Sequence, residues 1–291
     1  NPMNPHLHPM ETPAALFSPG TGQNRGLLQV QVVSIQNNFP ISGATVTISS
    51  QEGEPQVFEQ LTTNSAGQTQ EVSLPAPPES ISLNAEAATT QRPYSEYDLL
   101  IEAPGFLPLA IQGTEILSGS TAIQPAAMTP LDTTRPPEDP INIPDHTLYG
   151  VYPPKIAEAE IQPVAEGGEI VLSRVVVPET IVVHDGVPSD RSAPDYYVPY
   201  RDYIKNVASS EIYSTWPEST IVANVLAIMS FTLNRVYTEF YRNQGYDFTI
   251  TSSTAFDHKW IYGRNIFQSI SLVVDEISDN YLSRPGVRQP M

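Results

Sequence analysis

The chain has 291 residues, 40% hydrophobic and 16% charged, with 14 Lys and Arg against 32 Asp and Glu for a formal net charge of −18. That length suits two ordinary domains and that composition a folded chain, while the charge opposes nucleic-acid binding, which needs Lys and Arg to displace counterions. With no cysteine, disulfides, thiol nucleophiles and cysteine-based zinc sites are excluded.

Residues 1–25 are rich in Pro, His, Met and Asn, show no period and are expected to form a mobile arm. His6 and His8 lack the third ligand that a metal site requires. From Gly26 the period becomes two. Leu28, Val30 and Val32 alternate with Gln29 and Gln31, and after a turn at Phe39–Gly43, Ala44, Val46 and Ile48 alternate with polar residues. Asn64-Ser65-Ala66-Gly67 marks another turn, followed by Val72 and Leu74, by Tyr97, Leu99 and Ile101, and by Leu109 and Ile111 beyond the Ala103–Phe106 corner. Short strands punctuated by Gly and Pro predict a small β-sandwich over residues 26–131.

Residues 132–178 read as a linker, in which eight prolines from Pro136 to Pro178 favour an extended chain open to proteases. Val175-Val176-Val177 and Ile181-Val182-Val183 look like a strand entering a new core. Tyr200, Tyr203, Ile204, Val207 and Ala208 fall at helical spacing and predict an amphipathic helix ending near Glu211. Pro217 and Glu218 suit the start of a second helix, which the apolar spacing from Ile221 to Phe240 carries to about Arg242. A third helix is expected from about Asn265, with Ile266, Ile270, Val273, Ile277 and Tyr281 as its stripe. No run reaches the ~18 apolar residues of a membrane span. The residues divide into an arm (1–25), a sandwich (26–131), a linker (132–178) and a mainly helical region (179–291), an α+β chain of two domains.

Acidity is concentrated early: residues 1–175 carry five basic and nineteen acidic side chains, and residues 176–291 carry nine and thirteen. Such a surface gains no electrostatic help toward an anionic wall polymer, so binding there would fall to a shaped groove.

Two resemblances add to this reading. Pro40-Ile-Ser-Gly-Ala-Thr-Val-Thr-Ile48, Thr63-Asn-Ser-Ala-Gly67 and Tyr97-Asp-Leu-Leu-Ile-Glu-Ala-Pro-Gly-Phe106 resemble the carboxypeptidase-regulatory or Cna-B type of prealbumin-like sandwich, usually a spacer, chaperone or pro-region. The stretch Tyr200–Glu218, YRDYIKNVASSEIYSTWPE, running into Ala223–Tyr237, resembles the SpoIID/LytB domain, whose signature is a Glu shortly before Trp-Pro and a long helix. Ser230–Arg242 and the Tyr262-Gly-Arg-Asn-Ile-Phe267 segment are similar to its spore cortex-lytic branch, the SleC type.

This second resemblance implies a lytic transglycosylase precursor of the spore cortex or cell envelope, cleaving peptidoglycan glycan strands to 1,6-anhydro-muramic ends without a cofactor. It implies activation by a protease cutting within 132–182, and Glu211 as catalytic acid/base. Protonating the glycosidic oxygen and then deprotonating the muramyl C6 hydroxyl needs one carboxyl group, where a hydrolase needs two. The apolar surroundings of Ile212, Tyr213 and Trp216 would raise its pKa. Tyr213, Trp216, Tyr262, Arg264 and Asn265 are the implied substrate-binding residues. Packing or helix capping explains the Tyr262–Asn265 segment equally well, and capping or an Arg partner would explain Glu211. Glu218 reads as a helix-dipole residue. Asp257-His258 and His184-Asp185 lack the context of a nucleophilic serine.

Asn224 and Met229-Ser230-Phe231 depart from the broad family's Gln and Arg-Thr-Tyr in the direction of the cortex-lytic branch. In that family a Cys- and Gly-bearing continuation follows the position of Met291, so the domain here is read as partial. The alternative from another class is a non-catalytic peptidoglycan-binding or structural spore protein.

Overall fold

The computed structural model describes residues 24–50, 56–131, 139–157 and 171–291; His6, His8 and the linker's Pro136, Pro137 and Pro163 lie outside them. The first half forms a β-sandwich because its central strands carry one apolar face each. In β1 (Arg25–Ser34), Leu28, Val30 and Val32 are fully buried while Gln29 and Gln31 are not. The same alternation places Val46 and Ile48 of β2 (Thr45–Ser50), and Tyr97, Leu99 and Ile101 of β5 (Tyr94–Glu102), in one core. β3 (Val57–Thr62), β4 (Val72–Pro75), β6 (Leu109–Leu117), β7 (Thr121–Met128) and β8 (Ile141–Asn142) complete it. One sheet runs β3-β2-β5-β6-β8, and the other has β4, β1 and β7 side by side. Burying each Leu, Ile or Val contributes on the order of 1.5–3 kcal/mol, offset by the entropy of ordering the chain.

Two short helices bridge β4 and β5: α1 (Glu79–Ser82) and α2 (Ala85–Thr90), the latter capped by Asn84, whose side chain accepts from the Glu86 and Ala87 amides. At four and six residues they are too short to show a helical period, and the sequence reading leaves them out.

Beyond the linker, β9 (Thr180–His184) pairs with β10 (Asp195–Pro199) and β11 (Ile250–Thr251) in a three-stranded sheet. Three helices pack beside it: α3 (Tyr200–Glu211), α4 (Glu218–Tyr237) and α5 (Gln268–Ile277). Among the described residues, α4 alone has the length and apolar composition to cross a membrane. Here Ile221, Val225, Met229 and Leu233 bury one side of it in the core.

Three expected boundaries move, each for a tertiary reason. The second helix stops at Tyr237, five residues early, because Glu239 takes a left-handed conformation (φ 49°) that no helix can continue. Ile266 and Phe267 leave the third helix to form β12 (Ile266–Phe267), which pairs antiparallel with β7 through Ile266–Ile123 and Phe267–Ala122. The start of the linker is likewise drawn into the sandwich: β8 pairs parallel with β6, and Ile143 and His146 are buried.

The two halves therefore share a sheet, since β12 extends β4-β1-β7, and one continuous apolar core runs from Leu28 to Val274. The chain is α+β, a sandwich onto which the helical part is docked.

Candidate functional site

Glu211 closes α3. Ile212 is extended (φ −135°, ψ 151°), so the helix ends and the chain turns away toward Trp216. The Glu211 carboxylate oxygen Oε1 accepts the Lys259 backbone N–H at 2.7 Å. Burial pushes its pKa up to about 7, while that N–H and the Lys155 ammonium pull in the opposite direction. A carboxyl group poised there is present in both protonation states near neutral pH, which suits a group that first donates and then accepts a proton. Of the two structural alternatives, no arginine supplies its positive neighbour; Lys155 does. Lys155 also donates to the Asp257 carbonyl at 3.2 Å and lies 4.5 Å from the Phe231 ring centre.

The residues after Glu211 grip the sandwich. Tyr213 is 1% exposed, its ring stacked 4.5 Å from that of His146. The Trp216 indole Nε1 donates to the Ser82 carbonyl at 3.0 Å, Ser214 meets Ser120 and Thr215 meets Ser82, both at 2.7 Å.

The Tyr262–Phe267 segment divides by residue. Gly263 sits at φ +72° with space closed by Ile141, and its carbonyl accepts from Gln124 Nε2 at 2.7 Å. Arg264 turns inward: its guanidinium meets Glu115 Oε2 at 2.9 Å and Ser210 Oγ at 3.1 Å, with both charged side chains fully buried. The Asn265 amide takes the Glu115 backbone N–H on Oδ1 and donates Nδ2 to its carbonyl, each at 3.0 Å, as a strand would.

Of the five expected substrate-binding residues, Tyr213, Arg264 and Asn265 are buried and Trp216 is half-buried, and all four make contacts that hold the helical half to the sandwich. Burial also raises the pKa of Glu115 to about 7, against the pull of Arg264.

Tyr262 is the most exposed of the five, at 39%, and lines a groove of about 420 Å³. Asp139–Asn142, Pro144, Asp185, Tyr196 and Lys259–Tyr262 line that groove. The sequence reading missed Tyr196, Lys259 and Trp260. Their one signal is the period-two spacing of Trp260 and Tyr262, too short to interpret without the fold.

The two His–Asp pairs are not catalytic pairs. Asp257 binds Arg235 at 2.8 Å and takes the Thr251 N–H and hydroxyl, not its neighbour His258. His258 packs against Phe231 at 4.6 Å, and burial drives its pKa down to about 3. His184 Nδ1 meets Asp195 at 2.7 Å, while Asp185 accepts from Ser252. Among the described residues no three His, Asp or Glu side chains are grouped to hold a metal ion.

No family model matches the chain, and no curated protein matches it. Solved structures similar to part of it include hydroxyquinol 1,2-dioxygenase from Pseudomonas putida DLL-E4, at 13% identity over 38% of this chain and 58% of that one, with a TM-score of 0.26. Klebsiella pneumoniae 5-hydroxyisourate hydrolase is similar at 20% identity over 36% of this chain and 92% of its own, TM-score 0.25. The minor pilin of Streptococcus agalactiae is similar at 14% identity over 40% and 49%, TM-score 0.27. The chain spans a little over half the length of the dioxygenase. Likeness at these scores carries no inference about function, and the sandwich rests on its own strand order.

Proposed function

We propose that this chain is the precursor of a spore cortex-lytic transglycosylase, cleaving the muramic acid–glucosamine bond of peptidoglycan with Glu211 as the single acid/base. One observation carries the reading: a glutamate at the end of α3, ahead of a Trp-Pro turn, with a pKa of about 7 and only a backbone N–H and a lysine acting on it. Protonated, Glu211 gives its proton to the leaving oxygen; as carboxylate, it removes the proton of the C6 hydroxyl that closes the anhydro ring.

The segment Pro153–Ile156 supports the precursor form. It lies along the loop before Lys259: the Ile156 N–H donates to the Ala255 carbonyl at 2.7 Å, and Thr254 Oγ1 to the Pro153 carbonyl at 3.3 Å. Cleavage within 132–182 would cut the covalent tie that keeps this segment beside the acid.

The test incubates the protein, intact and cleaved in the linker, with cortex peptidoglycan alongside its Glu211→Gln variant. Anhydro-muramyl products from the cleaved wild type only are expected. Their absence sinks the enzymatic reading, and cosedimentation with wall indifferent to Glu211→Gln would favour a non-catalytic wall protein.

A further inference from the structure

The groove lined by Lys259, whose backbone N–H holds Glu211, gathers three aromatic rings. Tyr196, on β10, stacks on Tyr262 with ring centres 4.7 Å apart at 26°, and stands 5.2 Å from Trp260; Trp260 and Tyr262 meet edge to face at 6.2 Å. Packing alone would bury such a cluster, yet Tyr262 stays 39% exposed at the rim. Trp260, 5% exposed, lies behind the two tyrosines and fixes their rings from the interior side. Polar groups flank the rings: Asp139 and Asn142 on the sandwich side, Asp185 and Lys259 on the other. The Lys259 side chain is partly desolvated, which lowers its pKa, with Asp185 opposing the shift.

From these observations we infer that Tyr196 and Tyr262, backed by the buried Trp260, form a platform for the pyranose rings of a β-linked N-acetylhexosamine strand. The apolar C–H face of a pyranose is complementary to the electron-rich face of an aromatic ring, and its equatorial hydroxyls need donors and acceptors at the ring's edge, here Asp139, Asn142, Asp185 and Lys259. A volume of about 420 Å³ lies within the roughly 300–1,000 Å³ of small-molecule sites, which favour junctions between domains. This groove is such a junction, since β8 of the sandwich forms one wall and the 259–262 loop the other. Lys259 joins it to the acid: its side chain lines the groove and its backbone N–H holds Glu211. The choice of N-acetylhexosamines rests on the proposed glycan-cleaving function; the platform itself does not.

The experiment titrates the N-acetylglucosamine tetramer into the Glu211→Gln protein, and into the same protein carrying Tyr196→Ala or Tyr262→Ala, by calorimetry. Melting temperatures check that each variant is folded. The tetramer is expected to bind the parent, and each tyrosine replacement to weaken binding by roughly tenfold, equivalent to about 1.4 kcal/mol. Binding indifferent to both replacements, or none to the folded parent, overturns the platform. Wild-type product analysis separates the two claims. Anhydro products with indifferent binding leave the proposed function standing and remove the platform; tyrosine-dependent binding without products does the reverse.

Discussion

Replacing Arg264 by Met removes one member of a fully buried ion pair and leaves the Glu115 carboxylate facing an apolar interface. Its other oxygen, Oε1, already lacks a partner among the described residues, so nothing nearby is placed to take over. Breaking a buried pair in this way costs about 3–5 kcal/mol, a large part of the stability of an ordinary domain. The double variant Glu115→Met with Arg264→Met removes both charges and is expected to recover most of that loss, short of the hydrogen bonds from Arg264 to Ser210 and the Asn265 carbonyl. The pH dependence adds a second check. The folded pKa of Glu115, about 7, lies above its ordinary value of 4.5. The folded state therefore holds the extra proton between pH 4.5 and 7, and stability falls as pH rises through that window. Without Arg264 the pKa climbs further, so the penalty of the single variant should be largest near pH 8 and shrink toward pH 5. Urea unfolding of the wild type, both single variants and the double variant at these two pH values measures all of this. Additivity of the two replacements within about 0.5 kcal/mol, or a penalty independent of pH, would refute the pairing.

Glu211→Gln should stabilise the protein by on the order of 2 kcal/mol near pH 8, discounted for partial exposure; its raised pKa destabilises the charged form, so the gain should vanish below pH 4.5 in the same unfolding assay. In the active, cleaved wild type, kcat/KM for glycan cleavage should decline as pH rises through about 7, because the first step requires protonated Glu211; a rate flat from pH 6 to 8 would count against it. Gly263→Ala forces a side chain into left-handed backbone at about 1–2 kcal/mol, and its Cβ would stand 2.8 Å from Ile141 Cγ2, so a lowered melting temperature is expected. Phe267→Ala, at the strand joining the two halves, should cost about 3–5 kcal/mol, and limited proteolysis should show the sandwich and helical parts loosening.

Strands β1, β2, β5 and β6 and the helix from Tyr200 to Glu211 were legible because each buries one face, and that periodicity is written in neighbouring residues; β3, exposed along most of its length, carries no such signal. The motif singled out Glu211, and the structure shows what surrounds it. The surroundings of Tyr213, Trp216, Arg264 and Asn265 were not legible, because residues far apart in the chain supply their partners. Only the position of Glu115, about 150 residues away, turns Arg264 into an internal brace. Tyr196 escaped notice for the converse reason: its partners Trp260 and Tyr262 are more than 60 residues distant.

What the amino-acid sequence determined by itself is local: alternation, helical stripes, the Pro217 start of α4, and a glutamate placed where α3 must end. The tertiary structure decided what periodicity cannot carry. It drew Ile266 and Phe267 out of a helix into β12, because pairing with β7 satisfies their backbone and buries Phe267 beneath the sandwich. It also decided the chemistry of Glu211, since its proton affinity comes from burial and from the Lys259 N–H and Lys155 charge, brought to it from loops distant in the chain.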